Sequence, residues 1–88
     1  MRYNVLITKR AQKQLLKLPV AARERMAESI GVFGHNPNDP ALDLKALMND
    51  PEAQFRMRVG SYRVMYNRDD SIKIIEIVRV GHRKDIYR

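Results

Sequence analysis

FRMRVGSYRVMY, the run from Phe55 to Tyr66, decides the fold of this chain. Gly60-Ser61 lies at its centre between two alternating segments. A two-residue loop that begins with glycine is the mark of a primed hairpin turn, whose twist matches that of the strands it joins. With those two residues as the loop, Val59 stands opposite Tyr62, Arg58 opposite Arg63, Met57 opposite Val64 and Phe55 opposite Tyr66. One face of the hairpin is then Phe55, Met57, Val59, Tyr62, Val64 and Tyr66, and the other carries Arg56, Arg58 and Arg63. Like charges directly opposite one another destabilise a sheet, so a face selected for stability alone would not set Arg58 against Arg63. Arginines gathered in this way suit phosphate, which a guanidinium grips through a planar fork of N–H donors.

The pattern extends outward in both directions. Downstream, a turn at Asp69-Asp70 predicts a third strand, with Tyr62 opposite Ile77, Val64 opposite Ile75, and Arg63 opposite Glu76, which would neutralise or orient it. Upstream, Tyr3, Val5 and Ile7 alternate with Asn4, Leu6 and Thr8 as a short strand, and Thr8 is placed to cap a helix. Ala11, Leu15 and Leu18 then recur at helical spacing from Lys9 to Leu18, while Lys9, Lys13 and Lys17 form a lysine stripe. Pro19 predicts a break. Ala22, Met26, Ile30 and Phe33 mark a second helix, which Gly34 would end in a left-handed cap. His35 to Pro40 is dense in turn formers, Leu42, Leu44 and Leu47 pin the returning segment to the core, and Asn49-Asp50-Pro51 is a further turn. The expected architecture is α+β: an N-terminal strand, a helical hairpin, then an antiparallel β-meander of three strands with both helices on its apolar face. Residues 1–88 read as a single domain.

Composition narrows the function. Seventeen Lys and Arg against ten Asp and Glu leave a net charge of +7 on 88 residues, a field that favours a polyanionic partner. A chain this short has little room for an internal cofactor cavity, so function belongs on a surface or in a shallow groove, and no cofactor is expected. The absence of cysteine suits a reducing cytoplasm, and no apolar run approaches the ~18 residues of a membrane span. The expected location is cytoplasmic, without a membrane partner. Two distant histidines and the turn-located Asp69-Asp70 do not make a metal site of recognisable spacing.

The C-terminal run Arg79-Val80-Gly81-His82-Arg83-Lys84-Asp85-Ile86-Tyr87-Arg88 adds cations, an imidazole and a phenol, with Ile86 and Tyr87 too apolar for a merely solvated tail. Taken with Phe55 to Tyr66, the segment Val80 to Tyr87 resembles the signature of RelE-type toxins of the RelE/ParE superfamily, and the opening strand, the Leu18-Pro19 break and the Asn36-Pro37 loop extend the resemblance over nearly the whole chain. It implies an mRNA interferase, the toxin half of a toxin–antitoxin pair, that cuts mRNA in the ribosomal A site. Position by position, it makes Arg58, Arg63, Arg83 and Tyr87 the catalytic set, with Arg63 on the phosphate and Tyr87 in base stacking or proton transfer. Arg56 falls among the RNA contacts, where relatives usually have lysine at both 56 and 58. His82 stands where some relatives have lysine. His82, Lys84 and the stripe of Lys9, Lys13 and Lys17 are further RNA-binding candidates. The implied partners are a cognate acidic antitoxin, the ribosome and mRNA, with operator DNA bound only through the antitoxin complex. The alternative is a ParE-like toxin that inhibits DNA gyrase without nuclease activity.

The chemistry stands apart from the resemblance. Metal-independent RNA cleavage uses the adjacent 2′-OH as nucleophile and needs a base for its proton, cations for the charge building on phosphorus, and an acid for the departing 5′-oxygen. Arg58, Arg63 and Arg83 meet the second need. Tyr87, His82 and Glu76 are the candidates for moving protons, since arginine stays protonated in proteins. Strict alternation puts His82 on the face away from Arg83 unless a bulge intervenes near Gly81.

Overall fold

Alternation and a hydroxyl cap start the fold. In the computed structural model of the protein, which describes residues 2–86, β1 (Asn4–Ile7) leads into α1 (Lys9–Leu16). Thr8 caps α1, its Oγ1 accepting the Ala11 N–H at 3.2 Å. The helix stops at Leu16, short of Leu18, because the Lys17 and Leu18 amides turn back to the carbonyls of Gln14 and Leu15 ahead of Pro19, which has no N–H to extend the ladder. Pro19 instead opens α2 (Val20–His35).

Gly34 does not end α2 in a left-handed cap. The helix runs through it to His35, and a Cβ on Gly34 would stand 3.0 Å from Val5 Cγ2. The glycine serves close approach of the helix to β1, and its carbonyl accepts the Tyr3 N–H at 2.8 Å.

The strands β2 (Asp43–Ala46), β3 (Phe55–Val59), β4 (Tyr62–Asp69) and β5 (Ile74–His82) join β1 in one five-stranded sheet, ordered β1-β5-β4-β3-β2. β1 runs parallel to β5 and the other pairs are antiparallel. The meander therefore has four strands, not three: the short segment Asp43–Ala46 pairs with β3 along its outer edge.

The β3–β4 register is the one the Gly60-Ser61 turn predicts, from Val59 opposite Tyr62 to Phe55 opposite Tyr66. Gly60 has φ 59° and is the only glycine of positive φ among the described residues, as a turn with a left-handed first residue requires. The β4–β5 register differs from expectation. A loop from Asp70 to Lys73, with Lys73 left-handed at φ 56°, replaces the two-residue turn, and Tyr62 pairs with His82, Val64 with Val80 and Arg63 with Gly81. Glu76 lies opposite Asn67, so it neither neutralises nor orients Arg63.

Val78 is the extra residue of a bulge in β5, since Tyr66 pairs with Ile77 and Met65 with Arg79. One inserted residue switches the alternation. Ile75 and Ile77 before it and Val80 after it all reach the helix-side core, which also holds Tyr3, Ala11, Met26, Phe33, Met57, Val59, Val64 and Tyr66. Tyr66 fits edge-on against Phe33, with ring centroids 4.6 Å apart. Burial pushes its phenol up to about 12 against the pull of Arg68 and Arg56, so it stays protonated and accepts no proton.

The face away from the helices carries a second, smaller apolar cluster of Ala53, Met65, Val78 and Ile86, with Leu47 against it. The β2–β3 loop folds over this patch and is clasped there by charge. Asp50 accepts the Glu52 and Ala53 amides at 2.9 Å each and pairs with Arg79 at 2.6 Å, while Glu52 meets both Arg79 and Arg10 of α1. The two amides, then Arg79, hold the Asp50 carboxyl down at about 2, below its ordinary 3.8. A carboxylate depressed by folding stabilises above its unfolded pKa, and that contribution is lost as pH falls through the folded value. The stability gap between wild type and Asp50→Asn, followed by urea unfolding, should hold steady above pH 3.8 and close as pH drops toward 2. A gap independent of pH down to 2 would show that the clasp does not depend on the ionised carboxylate.

Candidate functional site

A tight turn brings side chains from distant parts of the chain to one place. Here the turn is Gly60-Ser61. Arg63, half-buried on the face away from the helices, donates from Nη1 to the Gly60 carbonyl at 3.0 Å and to the Tyr62 carbonyl at 2.9 Å. Arg58 lies opposite it in the register and is exposed, and among the described residues its side chain makes no hydrogen bond or ion pair. The Arg83 amide donates to the Ser61 carbonyl at 2.8 Å, which fixes the start of the C-terminal turn beside the same loop, with the Arg83 side chain exposed. Arg58, Arg63 and Arg83, predicted from separate stretches of sequence, thus gather around one β-turn.

Ile86 explains how the C-terminal segment holds its course. The Asp85 and Ile86 amides both donate to the His82 carbonyl, at 2.9 and 3.0 Å, and the Ile86 side chain is buried in the cluster with Met65 and Val78. Gly81 lets it in, since a Cβ there would stand 3.3 Å from Ile86 Cδ1. Gly81 is also the register partner of Arg63. The apolar patch therefore seats the C-terminal turn next to the arginines, and the sequence signal for it was Ile86 itself, a large apolar residue set among the C-terminal cations.

The other expected residues are placed as follows. Arg56 shares the face of Arg58 and Arg63, but its guanidinium is bound to the Asp43 carboxylate at 3.1 Å and to the Asp43 carbonyl at 3.3 Å. It braces β2 and contributes less free charge than Arg58. His82 falls on the helix side beside Tyr62, ring centroids 5.4 Å apart. Its Nδ1 accepts the Lys84 amide at 3.1 Å, which assigns the proton of a neutral imidazole to Nε2. Lys84 is exposed on the C-terminal turn. Lys9, Lys13 and Lys17 are exposed along α1, which packs through Ala11 and Leu15 on the helix side of the sheet, so they form a row of their own rather than part of the cluster. Tyr87 lies outside the described residues.

Sequence reasoning missed Arg25. It projects from α2 onto the opposite side of the same turn: a Cβ on Gly60 would stand 3.2 Å from both Nη1 and Nη2 of Arg25. Only the crossing of α2 over the hairpin puts it there, and no spacing in the sequence announces that crossing. Among the described residues no group of three or more His, Asp or Glu stands together as a metal site would need.

This arrangement, a helical hairpin over a mixed sheet whose far face ends in an arginine-rimmed turn, defines a class of small toxins. Residues 5–87 match the family described as the ParE toxin of the type II toxin–antitoxin system parDE. The chain is 36% identical to toxin RelG of Mycobacterium tuberculosis, over all of this chain and 99% of that one. It is 37% identical to toxin RelE of the same organism, over 98% of this chain and 87% of that one. The archaeal RelE–RelB complex of Pyrococcus horikoshii superimposes with a TM-score of 0.79 at 30% identity, covering 97% of this chain and 99% of that one. The chain belongs to this family of type II toxin–antitoxin toxins and, within it, to the RelE-type toxins.

Proposed function

We propose that the protein is a ribosome-dependent endoribonuclease that cuts mRNA in the A site and so arrests translation. The observation that carries this reading is the gathering of Arg58, Arg63 and Arg83 around the Gly60-Ser61 turn on an open face. Cations that can converge on one phosphate stabilise the charge that builds during 2′-OH attack, and one already held in place does so without having to reorganise. Arg63 is pre-set by the turn carbonyls to grip the scissile phosphate, Arg58 adds an uncommitted positive charge across the ladder, and Arg83 approaches from the C-terminal turn. Tyr87 follows directly after the anchored Ile86 and is the candidate for moving a proton or stacking on a base. Arg56, His82, Lys84 and the row of Lys9, Lys13 and Lys17 are proposed to meet RNA phosphates around the cut.

A free translation-blocking nuclease is lethal to its host, so the reading includes a cognate acidic antitoxin. The net charge of +7 favours an acidic segment on the arginine face. Between α1 and α2 lies an open groove of about 440 Å³ lined by Ile7, Leu15, Leu16, Ala27 and Ile30, with Leu16 69% exposed, which suits the apolar side of such a segment. Operator DNA would be bound through that complex. No helix among the described residues is long and apolar enough to cross a membrane, and the proposed place of action is the cytoplasm.

The second reading, inhibition of DNA gyrase without cleavage, is favoured by the description of the matching family as ParE toxins. Inducing the protein in growing bacteria, with translation and DNA supercoiling followed separately, discriminates the two. Early translational arrest with normal supercoiling is expected. Early gyrase failure with translation intact would establish the second reading instead.

A further inference from the structure

We propose that His82 is a positioning residue for Arg83: its imidazole accepts the amide that follows Arg83 and so fixes the direction in which that side chain leaves the C-terminal turn. The inference rests on the nuclease reading and gives His82 a task within it. Each residue has two soft backbone angles, φ and ψ, one on either side of Cα. Tying down the peptide planes that flank Cα therefore constrains both. At Arg83 each plane is held by one hydrogen bond. The Arg83 N–H, in the plane before Cα, donates to the Ser61 carbonyl at 2.8 Å. The Lys84 N–H, in the plane after it, donates to His82 Nδ1 at 3.1 Å. The first bond ties Arg83 to the turn whose Gly60 carbonyl holds Arg63, and the second sets its Cα–Cβ direction from there.

A side chain that accepts the amide two residues ahead of it has the geometry of an Asx turn. Elsewhere the chain builds this turn with short side chains: Asn36 accepts the Asn38 N–H at 3.0 Å, Asp39 that of Ala41 at 2.8 Å and Asp69 that of Ser71 at 3.0 Å. At His82 an imidazole takes the same role, and its ring adds what Asn or Asp lacks, a contact with the Tyr62 ring at near right angles, centroids 5.4 Å apart. Tyr62 in turn packs against the helix-side core. The core thus braces the ring, and the ring braces the Lys84 amide. Nδ1 has its lone pair on that amide and Nε2 carries the proton, so neither nitrogen is free to take a proton from the 2′-OH. The Nε2–H is left for the RNA contact proposed above.

Cleavage kinetics on programmed ribosomes, at constant magnesium, are compared for wild type, His82→Ala, His82→Phe, His82→Asn and Arg83→Ala, and for His82→Ala combined with Arg83→Ala. His82→Phe keeps a ring against Tyr62 but offers no acceptor, and His82→Asn offers an acceptor without the ring. His82→Ala and His82→Phe should each lower kcat by about tenfold, and His82→Asn should recover most of it. In the Arg83→Ala background, His82→Ala should lower kcat no further, because the two residues act as one unit. Loss of an Nε2–H contact with RNA shows in KM and is common to all three His82 variants, so kcat reads the turn. The Lys84 amide, followed by hydrogen exchange, should be protected in wild type and His82→Asn and exchange faster in His82→Ala and His82→Phe. Undiminished kcat in His82→Ala and His82→Phe, with Arg83→Ala impaired, overturns the proposal and leaves the nuclease reading standing. So does a His82→Ala loss that persists in full without Arg83, or one that His82→Asn does not relieve, since either gives His82 a role of its own in the chemistry. A wild-type chain that cuts nothing ends the nuclease reading, and Lys84 exchange then decides the turn alone. Slower exchange in wild type and His82→Asn than in His82→Ala upholds the bond, and equal rates overturn it as well.

Discussion

Arg63→Ala is expected to lower mRNA cleavage on programmed ribosomes by about 10²–10³-fold, the usual cost of deleting one fixed donor to a charge that develops in the transition state. The fold should survive. Arg63 lies on the face away from the helix-side core, its side-chain bonds go only to the carbonyls of Gly60 and Tyr62, and its removal relieves the like charge of Arg58 across the ladder. Circular dichroism melts of wild type and variant should therefore nearly coincide. Arg63→Lys keeps the charge but loses the planar fork, and should fall between the two. A folded Arg63→Ala protein with full activity would remove Arg63, and with it the open face, from the catalytic account.

The hairpin that holds Arg63 was legible because its turn is short. With only Gly60 and Ser61 between the strands, one register is available, and every pair from Val59–Tyr62 to Phe55–Tyr66 follows. The next hairpin was not legible for the converse reason. Its loop spans Asp70 to Lys73, and β5 carries apolar residues on both parities, Ile75 and Ile77 on one and Val78 and Val80 on the other. Only the bulge at Val78 reconciles them, and it was the assumed two-residue turn at Asp69-Asp70, in place of the longer loop, that set Glu76 beside Arg63 rather than opposite Asn67. β2 escaped notice because Asp43–Ala46 is only four residues long with Leu44 its one core-facing side chain, and it is held as a strand by its pairing with β3.

Gly34 shows a different ambiguity. A glycine at the end of a helix signals either a left-handed cap or close packing, and Val5 against its Cα decides for packing. Within the site, Arg58, Arg63 and Arg83 were found from local spacing and from the resemblance, yet the shared turn that gathers them became visible only in three dimensions. Arg25 had no local signal at all. The seating of Ile86 against Gly81, Met65 and Val78 was partly announced by its hydrophobicity so close to the C-terminal arginines.

The second large effect concerns the nucleophile. If the arginines supply the charge stabilisation, the attacking group is the 2′-OH next to the scissile phosphate, and the products are a 2′,3′-cyclic phosphate, or the 3′-phosphate formed from it, upstream and a 5′-OH downstream. No water attacks phosphorus in that first step. The most direct measurement uses ribosomes programmed with mRNA that carries 2′-deoxy or 2′-O-methyl ribose at the cut position, with magnesium held constant so that the ribosomes stay intact, and end-group analysis of the products from unmodified mRNA. Cleavage of the modified mRNAs should fall below detection while unmodified mRNA gives the cyclic phosphate and the 5′-OH. Continued cutting at the modified position, or a downstream product bearing a 5′-phosphate, would identify water as the nucleophile and contradict the proposed role of the arginine cluster.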